Sequence, residues 1–183
     1  MARLPYLDKS SVAPEHHDLL MRDITLYREL VHSPGALRAF QGLGQYIRFK
    51  SKLDPRLREM AILQVGYLAR AAYEWAHHIK IGYDFGVADA DIVALIAETE
   101  GRASPLAPDA RSVLLAAREM TLAGKVSDDT FATLRTFLDE EKTVDLVMTI
   151  AFYNAVVRVL ASLEIDVEPE YRKYLEKYPL PKV

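Results

Sequence analysis

Glu74 and His78 stand four residues apart in the stretch Tyr73-Glu74-Trp75-Ala76-His77-His78-Ile79. If that stretch is helical, the two side chains share a face with their Cβ atoms about 6 Å apart. A carboxylate so placed fixes an imidazole by hydrogen bonding and raises its pKa toward neutrality, which suits it to give and take protons. The same pair also suits an ordinary solvated face, where a first-turn Glu is favoured by the helix dipole alone by about 0.3–1 kcal/mol. Glu59 shares a face with Ile62, Leu63 and Gly66, so its carboxylate is expected to turn inward and complete a Glu–Glu–His cluster. His77 points about 100° away from His78. A metal site needs three or more ligands, so no metal is expected. Tyr73 and Trp75 read as core or subunit-contact residues, with a substrate clamp as the alternative. Tyr153, Asn154 and Arg158 interrupt an apolar face, and the last two are spaced to form either a packed hydrogen-bonded pair or an anion-binding edge.

Helices must position these groups, since alternating strand patterns of useful length are absent. A first helix is expected after Pro14, with Leu20, Ile24, Tyr27 and Val31 on one stripe and His16 and His17 solvated in its first turn. Ser33-Pro34 opens a second helix reaching about Phe49, with the hydroxyl as N-cap and Pro in the first helical position. Asp54-Pro55 repeats that grammar. Residues 55–85 then read as one helix of about 31 residues, long for a globular domain, and Arg70-Ala71-Ala72 is the expected break. From Met60 to Ala69 the surface is apolar nearly all round, so this helix should be buried on every side. Further helices start at Pro108 or Asp109 and end at Gly124, run from Ser127 through Leu138, and run from about Thr143 to Leu163. Gly86 and Gly101 sit where C-caps belong. Residues 166–183 form a Pro- and aromatic-rich arm expected to pack on its own chain or on a neighbour. The reading is a single all-α domain over 1–183.

The composition narrows the chemistry. The chain has 183 residues, 23 Lys+Arg against 26 Asp+Glu, a net charge of −3 and no cysteine. Thiol chemistry, disulfides and thiolate metal sites are thereby excluded. With no basic block, nucleic acid is not an expected partner. Residues 1–12 do not resemble a secretory signal, and the greasy run 146–157 falls short of the ~20 residues of a membrane span. A cytoplasmic protein that does not bind membranes is expected.

Three segments carry a resemblance: Leu57-Arg58-Glu59-Met60-Ala61-Ile62-Leu63, then Tyr73-Glu74-Trp75-Ala76-His77-His78, then Gly86-Val87. They resemble the motif core, here 54–101, of the carboxymuconolactone decarboxylase family, which includes alkylhydroperoxidase D. The peroxidase branch has a Glu, a Cys-x-x-Cys pair and a His four residues after the second Cys. On this chain the Glu and His fall at Glu59 and His78, and the cysteine positions are Ala71 and Glu74. Neither can attack peroxide or form a disulfide. The decarboxylase branch has a Glu four residues before the His, as at Glu74 and His78. The resemblance implies an AhpD-like bundle and cofactor-free acid–base chemistry, decarboxylation or lactone handling, on a small organic acid. His78 would donate the proton, Glu74 would orient it or act as second base, and Glu59 would relay. Substrate contacts would fall to Tyr73, Trp75 and a carboxylate-binding Arg70 or Arg158. It also implies a homo-oligomer, trimer or hexamer. The alternative is a non-catalytic oligomeric binding protein, with thiol peroxidase third.

Overall fold

The computed structural model describes residues 2–181, which contain helices and turns and no strand. A 3-10 helix at Pro14–Leu20 precedes α1 (Thr25–Leu30), α2 (Pro34–Phe49), α3 (Pro55–Leu68), α4 (Ala72–Asp84) and α5 (Asp89–Thr99). Then come α6 (Pro108–Ala123), α7 (Asp128–Leu134) and α8 (Glu140–Leu163), with a 3-10 turn at Pro169–Tyr171 and α9 (Arg172–Lys177) closing the chain. The architecture is all-α, as the periodicity predicts.

α3 is the axis of the fold. Every residue from Leu57 to Tyr67 is buried, and α4, α6 and α8 pack around it. Each fully enclosed Ile or Leu, such as Ile62 and Leu63, contributes about 1.5–3 kcal/mol relative to exposure. Asp54 starts α3 as read from the sequence: its carboxylate accepts from the Leu57 amide at 2.9 Å. The break before α4 also falls where expected, and Arg70 makes it by adopting φ 50°, a left-handed conformation unusual for a side chain of this size. Gly86, Gly101 and Gly124 take positive φ at helix ends, where a Cβ would be strained.

Several boundaries differ from the sequence reading. The first helix is two pieces, because Ile24 is extended (φ −121°, ψ 145°). Leu19 and Leu20 then join Val31 and Leu37 in a small separate cluster, while Ile24 packs on the main core. Ser33 makes no side-chain cap, although α2 begins at Pro34. α7 ends at Leu134, short of Leu138. α8 begins earlier than Thr143, because Asp139 caps it by accepting from Lys142 N at 2.8 Å. α8 is thus a 24-residue helix long and apolar enough by composition to span a membrane, more than the run 146–157 suggests. Here one face of it, including Leu146, Ile150 and Tyr153, packs on the core.

The C-terminal arm packs on its own chain. Trp75 Nε1 donates to the Tyr178 carbonyl at 2.8 Å, and Lys177 Nζ pairs with Asp89 at 2.5 Å. Lys182 and Val183 lie outside the described residues. At the other end of the site, buried Asp145 of α8 ties down the exit from α2, accepting from Tyr46 Oη at 2.8 Å, Ser51 Oγ at 2.7 Å and Lys52 N at 2.9 Å. Asp145→Ala strands these donors, so urea denaturation should show a loss of about 1–3 kcal/mol. A change within a few tenths of a kcal/mol would show that the staple is idle.

Candidate active site

α3 and α4 cross where Gly66 faces the first turn of α4. A Cβ on Gly66 would sit 3.4 Å from Trp75 N and 3.6 Å from Cβ and Cγ of Glu74, so the two helices are in van der Waals contact at this point. One turn further along α4, His78 points the same way, toward Glu59 on α3. The three side chains meet. His78 Nδ1–H donates to Glu59 Oε2 at 2.7 Å, and His78 Nε2 stands 3.0 Å from Glu74 Oε1. The second contact has ion-pair distance but poor alignment, and Glu74 Oε1 has no aligned hydrogen-bond donor. Glu59, Glu74 and His78 are only 1%, 3% and 4% exposed.

Arg58 closes the network from behind. Its Nε and Nη2 donate to Glu59 Oε1 at 3.1 and 3.0 Å, and its Nη1 donates to the Arg48 carbonyl at 3.1 Å. Its guanidinium lies over the Phe85 ring, 4.5 Å from the centroid. Two guanidinium or imidazolium cations thus face two carboxylates, and the buried quartet is neutral with His78 protonated. Burial opposes the charge on His78, but Glu74 and Glu59 outweigh it and raise its pKa from 6.5 to about 8. Burial likewise opposes ionisation of Glu59, yet His78 and Arg58 hold its carboxyl below the usual range. At neutral pH His78 is therefore an imidazolium, with Nδ1–H committed to Glu59 and Nε2–H toward Glu74. Tyr153 of α8 packs edge-on against the ring, centroids 4.9 Å apart.

Glu74, His78 and Tyr153 line a hollow of about 60 Å³, room for about four waters. Phe40, Ile81, Phe152 and Val156 supply apolar wall, and Arg22, Gln45 and Arg48 are polar members of the lining. Glu59 is behind His78, outside the lining. Tyr73 lines the hollow, but its neighbour Trp75 does not: Trp75 is wholly buried between Tyr67 and the arm. Nor are the two expected carboxylate-binding arginines there. Arg70 is exposed in the left-handed turn before α4. Arg158 is exposed and bonds the Asn154 side chain at 2.9 Å; five residues past Tyr153, it lies about 140° round the helix. The sequence reading missed Arg22, Arg48 and Arg58. Only Arg58 carried a signal, as a charge inside an all-buried helix that needs a partner.

His77 also lines the hollow but is held by a second cluster. Its ring is stacked between Tyr73 and Tyr171, at centroid distances of 4.0 and 3.7 Å, and its Nε2 pairs with Glu168 Oε2 at 2.7 Å. Glu168 also accepts from Thr25 N at 2.8 Å, so this cluster pins the arm to the start of α1. Among the described residues no group of three His, Asp or Glu is arranged to hold a metal ion.

Residues 34–119 match the model of the carboxymuconolactone decarboxylase family. Over those residues the chain is similar to that family, and it contains no cysteine. The family match spans α2 to most of α6 and so contains Glu59, Glu74 and His78. No curated protein matches the chain. Among solved structures it is similar to an uncharacterized peroxidase-related protein with an alkylhydroperoxidase AhpD core from Ralstonia eutropha JMP134, at 18% identity and TM-score 0.80, covering 95% of each chain. It is also similar to a Cys-to-Ala variant of the debrominase Bmp8 in complex with 2,3,4-tribromopyrrole, at 18% identity and TM-score 0.79, covering 97% of this chain and 99% of that one. A putative antioxidant defence protein AhpD from Agrobacterium tumefaciens aligns at 20% identity and TM-score 0.66, over 76% of this chain and 95% of its own. At these identities the likeness establishes the AhpD-like fold.

Proposed function

We propose that the protein is a cofactor-free acid–base enzyme acting on a small organic acid or lactone, with decarboxylation as the favoured reaction. The observation that supports this reading is the buried His78 ring, held at Nδ1 by Glu59 and 3.0 Å from Glu74 Oε1 at Nε2, with His78 and Glu74 both lining a hollow. In a decarboxylation the bond between carbon and the departing carboxylate breaks, and its electron pair stays on carbon. That carbon then takes the Nε2 proton of His78, carbon dioxide leaves, and the neutral imidazole regains a proton from solvent, the Glu74 carboxylate stabilising the restored imidazolium. Glu59 fixes the tautomer and ring orientation. Thiol peroxidase chemistry is set aside because the chain has no cysteine. The test is a panel of carboxylated lactones and unsaturated acids incubated in D2O. Turnover should place one solvent deuterium on the product carbon, and product lacking it would overturn the reading.

The protein also belongs, in this reading, to a homo-oligomer. Leu115 and Leu122 of α6 and Val144 and Met148 of α8 are exposed (40%, 73%, 60% and 42%). The two helices run side by side, joined by Asn154 Nδ2 donating to Thr121 Oγ1 at 3.0 Å, so these residues offer a second copy an apolar face. Sedimentation at micromolar concentration should show an oligomer that L122E/M148E disrupts. A stable wild-type monomer of 20.7 kDa would contradict it.

A further inference from the structure

We propose that Arg48, with Arg22 beside it, is the carboxylate-binding handle of the hollow, and that the ligand is a small organic carboxylate held by the end that does not react. This inference rests on the acid–base reading only for what happens at the other end of the ligand. Arg48 and Arg22 are half-buried and neither forms an ion pair among the described residues. The other arginines without a carboxylate partner, Arg70, Arg158 and Arg172, are exposed to water. In place of an anion, Arg22 lies 5.9 Å from the centroid of the Tyr27 ring, and Arg48 meets the Tyr153 hydroxyl and lies 6.0 Å from the centroid of Phe49. A guanidinium kept partly out of water without a counter-charge is costly, and a bidentate carboxylate is the group its fork fits best.

The charge around the hollow points the same way. Its ionic lining sets Arg22, Arg48 and the His78 imidazolium against Glu74, and His77, also in the lining, is engaged by Glu168 outside it. The hollow is thus positive in a chain whose net charge is −3, which steers small anions to this face. The apolar walls of Phe40, Ile81, Phe152 and Val156 then suit a compact hydrocarbon body. Orientation follows from elementary electrostatics. A carboxylate bound by guanidinium is stabilised as an anion, so it is retained. The bond that changes lies at the far end, beside Glu74 Oε1 and His78 Nε2. If the reaction is decarboxylation, the substrate therefore carries a second carboxylate.

The test measures binding to the full-length protein by calorimetry, using acetate and propionate, each against its uncharged amide. Both carboxylates should bind saturably and their amides about tenfold or more weakly. Arg48→Gln should reduce carboxylate affinity to the amide level, Arg48→Lys should fall between, and Arg158→Gln should match wild type. The handle is overturned if neither carboxylate binds wild type, or if Arg48→Gln binds them as wild type does. The two readings fail separately: turnover persisting in His78→Gln sinks the chemistry, whereas affinity persisting in Arg48→Gln sinks the handle.

Discussion

Replacing His78 by Gln should lower turnover of the substrate by about 10²–10⁴-fold while helix content and assembly stay unchanged. That is the usual contribution of a positioned acid or base. Gln fills a similar space and can still donate to Glu59, but it cannot release a proton to carbon. Glu74→Gln should be comparably damaging for a different reason. It removes one of the two carboxylates that keep His78 charged and alters the buried oxygen that has no aligned hydrogen-bond donor. Steady-state rates for both variants decide the matter, with circular dichroism to confirm the fold. Full activity in either would mean that the assigned roles are wrong.

Arg58→Met should be the most destabilising single change near the site, at about 3–5 kcal/mol by urea denaturation. Arg58 is 2% exposed and places two donors on Glu59 Oε1. Without it the buried quartet carries a net negative charge. Adding Glu59→Gln removes that charge, so the double variant should be more stable than the sum of the two single losses requires. A loss below 1 kcal/mol for Arg58→Met would show that the network is not the buttress described here.

The helices and three of the site residues were legible for the same reason: α3 and α4 write their geometry into local spacing. Asp54-Pro55 announced a start, the length of 55–85 demanded a break, and Glu74 and His78 could only share a face. Glu59 was placed inward by its apolar neighbours. The left-handed Arg70 that makes the turn carried no such signal, because no Gly or Pro marks it. Nor does spacing report what α2 and the segment before α1 bring across the bundle, which is why Arg48 and Arg22 were invisible. Arg70 is close to the motif in sequence, yet nearness across a turn says nothing about direction. Trp75 illustrates the converse: a large aromatic on the motif helix went to the core and the arm, because its face is turned away from the hollow. The single stripe expected from Leu20 to Val31 failed because Ile24 breaks the helix and packs on the main core, while Leu20 and Val31 join the small cluster.

The charge state of His78 also sets a pH window for stability. Its folded pKa of about 8 lies above the ordinary 6.5. Its contribution, about 2 kcal/mol, is therefore fully present below pH 6.5 and is lost as the pH rises through 8. Glu59, held below its ordinary 4.5, contributes above that pH and loses its contribution as the pH falls through its lowered value. The most direct measurement is an NMR titration of the His78 ring in the wild-type protein, repeated in Glu59→Gln and Glu74→Gln. The imidazolium should persist to about pH 8 in wild type and deprotonate at lower pH in each variant. A His78 that titrates at or below 6.5 in wild type, or is indifferent to both substitutions, would contradict the claim that two carboxylates hold this ring as a proton donor.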